Sequence, residues 1–143
     1  MIKVLDYVNF QLEDWAFAPV RAHEWDAGID LKTPISAATV KGSPAVIDTG
    51  VHVEIPEGYC GLIKSRSGLY TNCGVTTDGV IDAGYTGTIK VTLYNNSDAP
   101  CIFHTGDRIA QLVIIPVETP DIRIVGRISG GERGNNGFGS TGR

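Results

Sequence analysis

The sequence predicts an all-β fold, a sandwich or barrel of short antiparallel strands. Three observations carry this expectation. Apolar residues recur with a period of two in Val51-His52-Val53-Glu54-Ile55 and in Ile89-Lys90-Val91-Thr92-Leu93, the alternation of strands with one face buried. Turn signals interrupt the chain at short intervals, among them Pro56-Glu57-Gly58, Asp82-Ala83-Gly84 and Thr105-Gly106-Asp107, which suits many short strands. No stretch of about 12 residues carries a helical stripe.

In chain order the strand candidates span 2–8, 45–47, 51–55, 59–63, 89–93, 100–103 and 109–115. The last is a nearly continuous apolar run, as expected of a strand buried on both faces. One short helix is predicted near 68–72. Residues 129–143 differ from the rest. They hold six of the chain's 18 glycines and one aromatic, Phe138. Such a segment buries too little apolar surface to offset its ordering entropy, so it is expected to be mobile. The division expected is a folded domain over 1–128 and a flexible tail over 129–143.

Composition narrows the function. A chain of 143 residues suits one domain, and 42% apolar with 20% charged residues is ordinary globular composition. Twelve Lys+Arg against 16 Asp+Glu give a net charge of −4, which weighs against nucleic acid or a membrane surface as partner. No apolar run is long enough for a membrane span, and the first twenty residues carry Asp6, Glu13 and Asp14 without an apolar core, so no secretory signal is expected. Cys60, Cys73 and Cys101 form no Cys-x-x-Cys pair, so neither zinc nor a disulfide framework is expected. Free thiols fit a cytoplasmic protein. His23, His52 and His104 are far apart, and His52 is placed on the solvent face of its strand.

Five segments could carry chemistry. Ser65-Arg66-Ser67-Gly68-Leu69 ends a strand with a guanidinium fork, two hydroxyls and a glycine, either a polyanion site or a solvated turn. Gly79-Val80-Ile81-Asp82-Ala83-Gly84-Tyr85-Thr86-Gly87 brackets one carboxylate and one aromatic in a hairpin, either a general base beside a flat ring or a capped turn. Asp26-Ala27-Gly28-Ile29-Asp30-Leu31 adds a second carboxylate, and Gly106-Asp107-Arg108-Ile109-Ala110-Gln111 is a turn entering a buried strand. The tail's Gly137-Phe138-Gly139-Ser140-Thr141-Gly142 has Gly-x-Gly-x-x-Gly spacing, but no strand-then-helix context for a dinucleotide.

Together, in this order and spread from Asp26 to Gly142, the five segments resemble the motifs of trimeric, all-β dUTP pyrophosphatases (dUTPases). Two positions depart from the usual pattern: Ser65 stands where Pro is common, and Asn136 where the tail usually has Gly. Asn is the best non-glycine substitute where φ is positive.

The resemblance implies a distorted antiparallel β-barrel or jelly roll of the β-clip type. It implies Mg²⁺-dependent hydrolysis of dUTP to dUMP and pyrophosphate, by in-line attack of water at the α-phosphorus. Asp82 matches the water-activating carboxylate and Tyr85 the ring beneath the deoxyribose. Uracil would be read by the backbone of Gly79, Val80 and Ile81. Arg66, Ser67 and Gly68 match the phosphate motif, with Gln111 and Lys90 as further substrate contacts. In the tail, Arg133 would contact phosphate, Phe138 would stack on uracil, and Gly139 and Ser140 would close over the nucleotide as a lid. Mg²⁺ would be held by phosphates and water with no direct protein ligand, Asp30 at most contributing through water. The resemblance further implies a cytoplasmic homotrimer whose sites are shared among three subunits. The rivals are a dCTP deaminase of the same fold, and a regulatory protein-binding role like that of some phage dUTPases.

Overall fold

The computed structural model describes residues 5–137. Ten strands and one helix follow in order: β1 (Asn9–Leu12), β2 (Ile29–Lys32), β3 (Ala37–Thr39), β4 (Ala45–Glu54), β5 (Tyr59–Lys64), α1 (Ser67–Cys73), β6 (Val75–Thr76), β7 (Asp78–Ile81), β8 (Thr88–Asn95), β9 (Cys101–Phe103) and β10 (Arg108–Pro116). One four-stranded sheet has the order β1-β4-β8-β6, a second has β2-β10-β5-β7, and β3 pairs with β9. The ladders between these strands are antiparallel throughout. The all-β, jelly-roll-like class expected from the sequence is therefore present, with open sheets rather than a closed barrel. No helix among the described residues is long and apolar enough to cross a membrane.

Period-two patterning explains the core. Ile89, Val91 and Leu93 of β8 are buried while Lys90 and Tyr94 are exposed. They join Ile47, Val51 and Val53 from β4, and meet Leu31, Ile63, Ile109 and Leu112 from the second sheet in one apolar cluster with Phe103. Each such side chain contributes roughly 1.5–3 kcal/mol on full burial. Cys60 and Cys101 are buried free thiols. Burial, with a smaller contribution from Cys73, pushes the Cys101 thiol up to about 11.

Three strand expectations change. The first strand begins at Asn9 rather than spanning 2–8. Residues 5–8 are irregular, because the ladder with β4 starts only where Asn9 faces Glu54; residues 2–4 lie outside the described part. The runs 45–47 and 51–55 are one strand, β4, broken in register between Asp48 and His52. Gly50 makes this possible at φ +68°, with the Trp15 ring 2.6 Å from where a Cβ would sit. The 109–115 run is central, between β2 and β5, but only Ile109, Ala110 and Leu112 are fully buried.

Candidate functional site

The predicted site residues fall into two clefts. The first forms where β5 gives way to α1 beside β2 and β10. Ser65 closes the end of β5: its Oγ accepts from Thr77 N (2.9 Å) and donates to Thr77 O (3.1 Å). That clamp sets the direction of Arg66. The Arg66 Nε lies 3.3 Å from Asp30 Oδ1, and its Nη1 donates to the Arg108 carbonyl at 3.3 Å. Arg108 Nη1 approaches Asp30 Oδ2 at 3.7 Å. Asp30, only 8% exposed, thus sits between two guanidiniums that remain 31% and 43% exposed. Gln111 donates from Nε2 to the Ser65 carbonyl at 2.9 Å. Arg66, Ser67, Arg108 and Gln111 line a cleft of about 470 Å³, with His23 on its rim. Planar forks, a hydroxyl and an amide suit phosphate oxygens.

The sequence pattern assigns no role to Arg108 or His23. In a regular strand Arg108 and Gln111, three apart, would point to opposite faces. The register of β10 on β2 slips between Arg108 and Ala110, and this extra residue brings both side chains to one cleft. Gly28 is also part of the arrangement, because a Cβ there would overlap Gln111 Oε1.

The second cleft, about 230 Å³, is built by the hairpin from β7 to β8. Gly79, Val80, Ile81, Asp82, Tyr85 and Lys90 line it. β7 pairs with β5 through Gly79↔Ile63 and Ile81↔Gly61, and it is the last strand of its sheet. Its outer edge therefore has backbone N–H and C=O groups available, as a base-reading edge requires. In the turn, Tyr85 N donates to Asp82 O at 3.2 Å, and the Tyr85 hydroxyl donates to Thr88 O at 2.8 Å. The phenol is thereby held against its own hairpin. Asp82 is exposed at the turn. The Lys64 ammonium, 3.0 Å from Asp78, ties β7 to β5 and holds the Asp78 carboxyl below its ordinary range.

The two clefts share no lining residue. Gly68, the second residue of α1, lines neither. Arg133 lines neither as well; its Nη2 donates to Gly137 O at 2.9 Å within exposed, irregular chain. Phe138, Gly139 and Ser140 lie outside the described residues. The positive φ expected at Asn136 is not found. Among the described residues only glycines have positive φ, and Gly134 (φ +53°) takes that conformation here.

No group of three or more His, Cys, Asp or Glu side chains that could hold a metal occurs among the described residues. The one buried carboxylate at the first cleft, Asp30, is engaged by Arg66 and Arg108. This donor set does not make a cage for a bare cation. It fits an ion that brings its own phosphate and water ligands.

A sequence model of the dUTPase family matches residues 15–142. The chain is 44% identical over 128 residues to the deoxyuridine 5'-triphosphate nucleotidohydrolase of Streptomyces coelicolor, covering 87% of this chain and 70% of that relative. A protein of the same name from Tropheryma whipplei is 44% identical over 132 residues, covering 89% of this chain and 90% of the other. Among solved structures, the Staphylococcus bacteriophage 80alpha dUTPase with dUpNHpp has a TM-score of 0.86 at 32% identity, over 97% of this chain and 100% of that one. A dUTPase of phage phi11 of S. aureus, solved with a structural Mg(II) ion, has a TM-score of 0.80 at 31% identity, over 87% of this chain and 100% of that one.

Proposed function

The chain belongs to the dUTPase family, and on that premise we propose how its two clefts hydrolyse dUTP. The enzyme is a dUTP diphosphatase: water attacks the α-phosphorus, the bond to the α–β bridging oxygen breaks, and dUMP and pyrophosphate leave. Such chemistry depends chiefly on positioning and charge neutralisation.

The single observation that carries the reading is the pairing of a guanidinium cleft with an acid-and-phenol hairpin in one chain. Arg66, Ser67, Arg108 and Gln111 take the phosphates. Asp30 holds the two guanidiniums apart and aligned, so their forks are set before substrate arrives. Asp82 orients the attacking water and accepts its proton. The Tyr85 ring packs against the deoxyribose, where a ribose hydroxyl would collide. The β7 edge from Gly79 to Ile81 reads uracil through backbone groups, and Lys90 adds a cation to the same cleft. A cytosine there would leave buried groups unpaired, a discrimination that can reach ~10⁴. Mg²⁺ would come with the triphosphate as part of the substrate, held by phosphates and water beside Arg66 and Arg108 and sharing their neutralisation of charge.

The assembly is proposed to be a homotrimer with sites shared between subunits. Two features support this. The phosphate cleft and the hairpin cleft have no lining residue in common, so neither by itself gathers both groups of site residues. Beyond β10, Ile122, Ile124 and Ile128 are 90%, 91% and 85% exposed, a row of apolar side chains that a neighbouring chain would cover. Residues 129–143 act as the lid, bringing Arg133 to phosphate and Phe138, Gly139 and Ser140 over the nucleotide.

Pyrophosphate release from dUTP, dTTP, dCTP and UTP, with and without Mg²⁺, tests the reading. Release from dUTP alone, dependent on Mg²⁺, is expected. Ammonia release from dCTP would overturn it in favour of the deaminase.

A further inference from the structure

His52 is on the solvent side of β4, in keeping with its place in the alternation, yet both ring nitrogens are engaged. Nδ1 lies 2.8 Å from the Thr86 carbonyl oxygen and Nε2 lies 2.9 Å from Glu13 Oε1. A carbonyl and an ionised carboxylate only accept. A neutral imidazole has one N–H and can serve one of them. Only the imidazolium donates to both, so the two contacts together call for a protonated ring.

Each partner is anchored elsewhere. Glu13 follows β1, and its backbone N–H donates to Gly50 O at 2.9 Å, at the break in β4. Thr86 belongs to the turn that carries Asp82 and Tyr85. Tyr85 is a wall common to two hollows. One is the Asp82 cleft; the other, about 230 Å³, is lined also by His52, Phe10 and Glu54. His52 therefore reaches the turn from behind the phenol. It fixes the carbonyl of Thr86, the residue that follows Tyr85.

We propose that His52 is a positioning residue of the dUTP site: tied to Glu13, its imidazolium holds the Thr86 carbonyl and so sets Tyr85 and Asp82 against the substrate. The inference rests on the reading of that hairpin as the catalytic and sugar-binding half of the site. His52 touches no reacting atom and acts through Thr86.

The charges around the ring agree with its being protonated. Glu13 approaches from the β1 side, Asp48 and Glu54 flank it on β4, and the Tyr85 phenol faces it from the turn. The cation on the neighbouring strand, Lys90, is paired in register with Asp48. The β-ladder partners of His52 itself, Gln11 and Thr88, are uncharged. The hydrogen bond to Glu13 first, then that to the Thr86 carbonyl, raise the imidazole above its ordinary value of about 6.5, against a smaller opposing effect of desolvation. A raised folded-state value means the latch is complete below the ordinary imidazole range. It is lost as pH rises through the raised value.

The test combines two measurements on the intact protein. Imidazole C–H resonances are titrated by NMR in the unaltered protein and in Glu13→Gln, with His52→Gln identifying the His52 signal. Over the same pH range, kcat and KM for dUTP and UTP are measured for all three. In the unaltered enzyme, KM for dUTP is expected to rise on the alkaline side with the inflection of His52. His52→Gln is expected to lose that inflection and to show KM raised roughly tenfold at neutral pH, with a melting temperature close to the parent's. Glu13→Gln keeps the ring but removes the charge, so it is expected to move the NMR and kinetic inflections together to lower pH. Glu13→Gln also carries the test if His52→Gln fails to fold. Unchanged KM and pH profile in His52→Gln, or an NMR shift in Glu13→Gln with no kinetic counterpart, would overturn the inference. Failure of the unaltered enzyme to release pyrophosphate from dUTP would instead overturn the reading of the site, whatever the variants do.

Discussion

Gly28 and Gln111 are complementary in volume: a Cβ at position 28 would overlap the Gln111 Oε1 and come within 2.9 Å of its Cδ. The carboxamide lies where a side chain on residue 28 would be. Gln111 in turn donates to Ser65 O, directly before Arg66. Gly28→Ala should therefore displace chiefly the flexible carboxamide end, with the Gln111 Cβ, 3.0 Å away, having to give by a few tenths of an ångström. We expect kcat/KM for dUTP to fall about 10- to 100-fold with only a small change in melting temperature. Steady-state kinetics beside thermal melts separate these effects, and an Ala variant of full activity would dismiss the packing role.

Removing the Asp30 charge should do the opposite, affecting fold and binding together. Asp30→Asn leaves Arg66 and Arg108 without the carboxylate between them. The guanidiniums are partly exposed and can take up water, so the cost is moderate, about 1–3 kcal/mol. KM for dUTP should rise because the forks are no longer prealigned. Urea denaturation and kinetics on the same preparation check both; a variant as stable as the parent would show that the cluster is not structural.

Asp82→Asn keeps the shape of the turn and removes the proposed proton acceptor. Turnover is expected to drop about 10²- to 10⁴-fold, while binding of a non-hydrolysable dUTP analogue stays near the parent's affinity. Calorimetric titration and single-turnover assays measure the two separately. Turnover near normal would remove Asp82 from its role.

Truncation after Gly131 removes Arg133 and Phe138 but none of the residues in the apolar cluster. Circular dichroism should be unchanged and dUTP hydrolysis nearly abolished. A fully active truncated chain would rule out the lid.

Gly50→Ala probes the break in β4. Alanine at φ +68° is strained, and its Cβ would meet Trp15 and Ala16. Destabilisation of roughly 2 kcal/mol or more is expected, read as a shifted denaturation midpoint. Because Gly50 O receives the Glu13 N–H, the alkaline limb of the KM profile should also move.

Much of the architecture is legible in the amino-acid chain alone. The alternation in Ile89-Lys90-Val91-Thr92-Leu93 maps directly onto buried and exposed positions of β8. The predicted helix at 68–72 lies within α1. The hairpin glycines likewise bracket the observed turn. Other features depend on long-range pairing and leave no local pattern. β2 shows in the sequence only as a motif, because Asp30 interrupts its apolar run and its burial depends on Arg66 and Arg108 arriving from elsewhere. Arg108 carries no local signal, because its parity with Gln111 depends on a register slip that only the partner strand defines. His52 resembles any solvent-facing strand residue, since Glu13 and Thr86 are 39 and 34 positions away. Above all, local spacing in the sequence does not announce that the matched motifs divide between two clefts.

That division has a genetic consequence. With the clefts joined between subunits as proposed, a lesion at Arg66 and a lesion at Asp82 would damage different halves of a composite centre. In a cell expressing both mutant alleles, mixed assemblies would regenerate some undamaged centres, each drawing its intact half from a different gene product. Two null alleles of this kind should complement one another, whereas two alleles altered in the same cleft should not.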